Sequence, residues 1–120
     1  MWFEFSQNNS GGSFDIEPRY GIGPRVWIEA ENSDAACDRA ENLGIYFNGC
    51  DSGQDCPCCG DRWYRPWRED GEDRPSVDLQ YDFNWHNEVY VHPLEGPFVV
   101  VNVDNYNQVL APFGTDEGHA

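Results

Sequence analysis

Arg25-Val26-Trp27-Ile28-Glu29-Ala30 runs directly into Glu31-Asn32-Ser33-Asp34-Ala35-Ala36-Cys37-Asp38-Arg39-Ala40-Glu41-Asn42-Leu43-Gly44, and the hydrophobic period changes at the join. In the first part Val26, Ile28 and Ala30 alternate with Trp27 and Glu29, the period of two expected of a half-buried strand. In the second, Ala36, Ala40 and Leu43 recur at helical spacing, with Cys37 beside them as core filling. Ser33 fits the N-cap, Asp34 suits the positive end of the helix dipole, and Gly44 fits the C-terminal cap. The apolar run Ile45-Tyr46-Phe47 reads as another short strand, closing a strand–helix–strand unit. Parallel pairing of its two strands would make the crossover right-handed.

Working outward, residues 2–6 read as a strand, followed by a polar turn from Gln7 to Ser13. Val77, Leu79, Tyr81 and Phe83 alternate against polar neighbours. Val89-Tyr90-Val91 and Phe98 to Val103 flank His92-Pro93-Leu94-Glu95-Gly96-Pro97, which fits a hairpin connection. The expected fold class is α+β: a small single domain over residues 1–120. Its one main helix, about 33–43, packs on a sheet of five or six short strands. Residues 48–75 form a Cys-rich irregular loop within it, and residues 114–120 a frayed tail.

Composition narrows the function. Twenty-two acidic residues stand against 7 basic ones, all Arg, for a formal net charge of -15. That field repels nucleic acid and anionic membranes, so no direct nucleic-acid or membrane role is expected. It attracts basic protein faces, although an acidic surface also serves solubility alone. The start Met1-Trp2-Phe3-Glu4-Phe5 lacks export-signal character, and no apolar run reaches spanning length, so the expected compartment is the reducing cytosol. There, clustered cysteines read first as metal ligands.

Cys56-Pro57-Cys58-Cys59-Gly60 has the C-P-x-C-G form of a zinc knuckle. Two thiolates three residues apart on a tight turn point at one ion, Pro57 presets the turn, and Gly60 supplies a positive φ. The expected ligands of a structural zinc are Cys56 and Cys59 with Cys50. His86 is placed fourth; His92, Asp55 and Asp61 are alternatives, and Cys58 is the spare. The second knuckle usual in such sites is absent, and redox or unligated thiols are the competing readings.

Asp61-Arg62-Trp63-Tyr64-Arg65-Pro66-Trp67-Arg68 is the chain's basic and aromatic cluster. As a ligand site, Arg62, Arg65 and Arg68 would hold phosphate while Trp63 or Trp67 stacks on a ring. As structure, the tryptophans cover the loop and the arginines pair with surplus carboxylates. Gly21-Ile22-Gly23-Pro24 lacks the spacing of a phosphate-binding loop, and no nucleophile elbow is present.

Met1-Trp2-Phe3-Glu4-Phe5-Ser6-Gln7-Asn8-Asn9-Ser10-Gly11-Gly12, Tyr46-Phe47-Asn48-Gly49 and Asp55-Cys56-Pro57-Cys58-Cys59-Gly60-Asp61-Arg62-Trp63 resemble a family of short uncharacterised tailed-bacteriophage proteins. The resemblance covers roughly the first 65 residues and implies context only: the cytoplasm of an infected bacterium. The leading expectation is a non-enzymatic phage accessory protein that binds a host protein with a basic surface. The alternatives are a nucleotide-sequestering or other small-molecule binder, and a small enzyme using the metal or Cys58.

Overall fold

The computed structural model describes residues 1–8, 14–55, 57–58, 60–66, 69–77, 88–102 and 104–113. Four strands, β1 (Trp2–Ser6), β2 (Arg25–Glu29), β3 (Val89–His92) and β4 (Val99–Val101), form one sheet in the order β1-β2-β3-β4. Helix α1 (Ser33–Leu43) follows β2, a one-turn helix α2 (Gly49–Ser52) opens the Cys loop, and α3 (Tyr106–Leu110) follows β4. The α+β class therefore holds in a coarser form. Among the described residues there are four strands rather than five or six, and three helices rather than one.

The central pair β2 and β3 is parallel, and β1 and β4 flank it antiparallel. β3 thus takes the place by β2 that the sequence reading gave to residues 45–47. Those residues form no strand; Ile45 instead drops into the core beneath α1, 2% exposed. A run of three apolar residues just after a capped helix has too few residues to distinguish a strand from a packed turn. The hairpin of β3 and β4 is as expected. Of the alternating stretch at 77–83, all but Val77 lies outside the described residues, as does the tail at 114–120.

Both faces of the sheet are covered. On one, Phe3, Phe5, Val26 and Ile28 pack against Ala36, Cys37 and Ala40 of α1, with Ile22, Ile45 and Trp63. On the other, Trp2, Trp27, Val89, Val91 and Val101 are joined by Tyr106, Val109 and Leu110 of α3 and by Phe113. Trp27 is therefore wholly buried where a half-buried strand left it outside, and its Nε1 donates to the Ser76 carbonyl at 2.8 Å. Polar residues on this second face, Glu4 and Arg25, form an ion pair. The cap of α1 lies one residue earlier than expected: Asn32, not Ser33, accepts from the Ala35 N–H at 2.8 Å. Gly44 closes the helix at φ 110° as expected.

Candidate functional site

The Cys loop begins at Asn48, which adopts left-handed backbone at φ 58° as the N-cap of α2. α2 ends on Gly53 at φ 83°, and Gly60 takes the positive φ expected of it, 88°. What ties the described part of the loop together is carboxylate chemistry. Asp55, 6% exposed, accepts from the Tyr46 hydroxyl at 2.7 Å through Oδ1 and from the Arg62 N–H at 2.8 Å through Oδ2. The Arg62 Nε stands 3.8 Å from Oδ1. Asp61 Oδ1 accepts the Cys50 N–H at 2.9 Å. Charged acceptors make stronger hydrogen bonds than neutral ones, and a buried carboxylate needs such partners. Glycine is required at 49 because a Cβ there would lie 1.8 Å from the Asp55 Oδ2.

The expected metal staple falls mostly on Cys56, Cys59 and His86, outside the described residues, and Cys50 sits on α2. Among the described residues no three His, Cys, Asp or Glu side chains gather as a metal site. Of the alternatives, Asp55 and Asp61 are engaged as above. His92 is buried, with Nε2 2.8 Å from the Gly21 carbonyl and its ring 5.2 Å from that of Phe98. Loss of solvation, followed by the carboxylates of Asp61, Asp55 and Asp51, pushes the Cys50 thiol up to about 11. A nucleophilic cysteine needs the opposite shift. Burial also raises the Cys37 thiol, outweighing the nearby Arg65.

The basic and aromatic cluster divides. Trp63 is 1% exposed and belongs to the α1-side core, with no acceptor for its Nε1 among the described residues. Arg62 is half-buried against Asp55, and its carbonyl accepts the Asn8 N–H at 2.7 Å, extending the edge of β1. Arg62 is thus engaged within the fold, and Trp63 also borders the cleft beside Arg65. Trp67 and Arg68 lie outside the described residues. Arg65 is exposed, its guanidinium 4.6 Å from the centroid of the Phe47 ring. Beside it lies a cleft of about 360 Å³. Buried Trp63 and Pro66 form its base with half-buried Phe47, and Asn48, Tyr64 and Arg65 form its exposed rim alongside Asp61.

Gln7 was missed by the sequence reading, which placed it in a polar turn. It is buried and fully used: Nε2 donates to the carbonyls of Asp15 and Gly23 at 2.7 and 2.8 Å, and Oε1 accepts the Asp15 N–H at 2.8 Å. An amide at the end of a strand carries no local sequence signal for such a role. Gly21 and Gly23, set aside as a phosphate loop, are packing glycines beneath His92 and Tyr90. The cleft, the acidic surface and the carboxylate-tied loop name no reaction.

No helix among the described residues is long and apolar enough to cross a membrane. Neither a curated protein nor a solved structure matches the chain. One family model does, over residues 1–111, and on that match the chain belongs to the family of the domain of unknown function DUF7296.

Proposed function

We propose that this chain is a non-enzymatic accessory protein, encoded by a phage and acting in the cytoplasm of the infected host, that binds a host protein through its acidic surface. The observation that carries the proposal is the outer face of α1. Asp34, Asp38 and Glu41 are exposed there at spacings of four and three residues, which place them along one side of the helix, and Glu31 is exposed just before the Asn32 cap. Like charges so spaced destabilise a helix by about 0.2–0.5 kcal/mol per pair. The last turn holds Glu41 and no basic residue, against the helix dipole.

Arginines that could offset this stripe are turned to other work. Arg39, on the same helix, donates to the carbonyls of Glu29 and Pro93, joining α1 to the sheet and to the β3–β4 connection. Arg25 pairs with Glu4 and Arg62 with Asp55. A one-sign helical face matches a basic protein surface and steers association in a salt-dependent way. The test is capture of proteins from bacterial lysate on the immobilised chain under rising salt. Retention at low salt and release within a few hundred millimolar is expected; retention indifferent to salt would remove the acidic surface from the account.

The proposal retains a structural zinc on Cys50, Cys56, Cys59 and His86. Its support is the knuckle spacing of Cys56 and Cys59. Native mass spectrometry of chelator-free protein tests it: one zinc per folded chain is expected, and metal-free folded protein contradicts it.

A further inference from the structure

We infer that the cleft beside the Cys loop is a binding site for a planar, nitrogen-containing ring that carries one anionic group, the chemistry of a nucleoside monophosphate. Its volume, about 360 Å³, falls within the range of about 300–1,000 Å³ usual for small-ligand sites. Three features of its wall select the ligand. The first is Arg65. In a chain with 22 acidic residues, no carboxylate among the described residues lies within ion-pair distance of it. Its guanidinium rests on the Phe47 ring and hydrogen-bonds the Cys37 thiol instead, which fixes it beside the cleft while its remaining N–H donors serve an anion.

The second is Tyr64, 44% exposed, which lines the cleft next to Arg65. An exposed aromatic face at a cleft rim is a stacking platform for any planar base. The third is Asp61. The Cys50 N–H and thiol take two positions on its carboxylate, and a carboxylate has about four acceptor positions. It therefore has capacity for a ring or exocyclic N–H. Asn48, in its left-handed conformation at φ 58°, adds an amide to the same wall.

The chain's charge sets the selectivity. A net charge of -15 opposes anions at long range, so each added phosphate weakens binding. A monophosphate is therefore held more tightly than the corresponding triphosphate, the reverse of sites built on basic clusters. The site is separate from the α1 face and stands or falls independently of it.

The experiment is titration calorimetry of the full chain with AMP, GMP, CMP and UMP, with the matching nucleosides, triphosphates and inorganic phosphate as comparisons. At least one monophosphate is expected to bind one-to-one, and its nucleoside, its triphosphate and phosphate alone to bind about tenfold or more weakly. Tyr64→Ala should weaken the monophosphate about tenfold without lowering the melting temperature, since its ring is outside the core. Arg65→Gln should weaken it as much, with some loss of melting temperature because the guanidinium packs on Phe47 and bonds Cys37, and Arg65→Lys should recover part of the binding. No monophosphate binding at millimolar concentration overturns the inference. So does equal binding of phosphate alone, or a Tyr64→Ala chain that binds as the wild type does.

Discussion

Gly49 and Asp55 stand so close that the smallest side chain on Gly49 would put its Cβ 1.8 Å from the Asp55 Oδ2. The contact exists because Asp55 folds back under α2. Its N–H donates to the Gly49 carbonyl at 3.0 Å while its carboxylate takes the Tyr46 hydroxyl and the Arg62 N–H. The segments on either side of the Cys loop thus meet at one buried carboxylate.

Asp55→Asn keeps the shape and removes the charge. With bonds to a charged acceptor worth about 1.5–3 kcal/mol each, the loss expected in chemical denaturation is about 2 kcal/mol. Tyr46→Phe, which removes one donor, should lose about 1 kcal/mol. Gly49→Ala should lose about 1–3 kcal/mol by overpacking. An Asp55→Asn chain as stable as the wild type would show that the carboxylate does not tie the loop.

The pairing of Trp63 and Trp27 gives a second prediction. Both are buried in opposite faces of the sheet, but the Trp27 indole donates to Ser76 while the Trp63 indole has no acceptor among the described residues. Replacing each by Phe removes similar volume. Trp27→Phe should therefore cost about 1 kcal/mol more than Trp63→Phe, the value of one satisfied donor. Equal losses would contradict the assignment.

His92 supplies the pH dependence. Loss of solvation lowers its pKa, against the bond to the Gly21 carbonyl, which raises it, and Arg39 lowers it further. The unfolded chain, with its histidine near the ordinary value of about 6.5, takes up a proton before the folded chain does. Stability from this group is thus complete above that pH and is lost as pH falls through and below it. The stability of wild type minus that of His92→Gln should shrink between pH 7.5 and pH 5. A pH-independent difference would contradict the burial of a neutral ring.

Gly21, at φ 69°, sits against that ring: a Cβ would be 2.6 Å from the His92 Cε1 and 2.9 Å from the Phe98 Cγ. Left-handed backbone costs a non-glycine residue about 1–2 kcal/mol, and overpacking adds about 1–3 kcal/mol. Gly21→Ala should therefore be among the most destabilising single changes. A melting temperature within a degree or two of wild type would contradict the close packing.

β1, β2, α1 and the β3–β4 hairpin were legible because each carries its own periodicity or cap within a dozen residues. Pairing was not: β2 takes its parallel partner from Val89–His92, far along the chain, and nothing local in Ile45-Tyr46-Phe47 forbids the nearer choice. Burial of Trp27 was likewise hidden, since it depends on α3 and Phe113 covering the second face. In the candidate site, the positive φ of Gly60 was readable from the text of the loop, whereas the seat of Arg65 on Phe47 was not. The roles of Asp55 and Gln7 were not, because a buried polar residue is recognised by its partners, and those are distant segments.

The acidic face of α1 is tested most directly by comparing the wild type with Glu31→Gln, Asp34→Asn, Asp38→Asn and Glu41→Gln combined, as baits in the same bacterial lysate at low salt. The substitutions relieve like-charge repulsion but remove the favourable first-turn carboxylate of Asp34, effects of similar size, so the variant should melt within a few degrees of the wild type. The wild type is expected to retain a basic host protein that the variant loses. Retention of the same proteins by both baits would contradict the account.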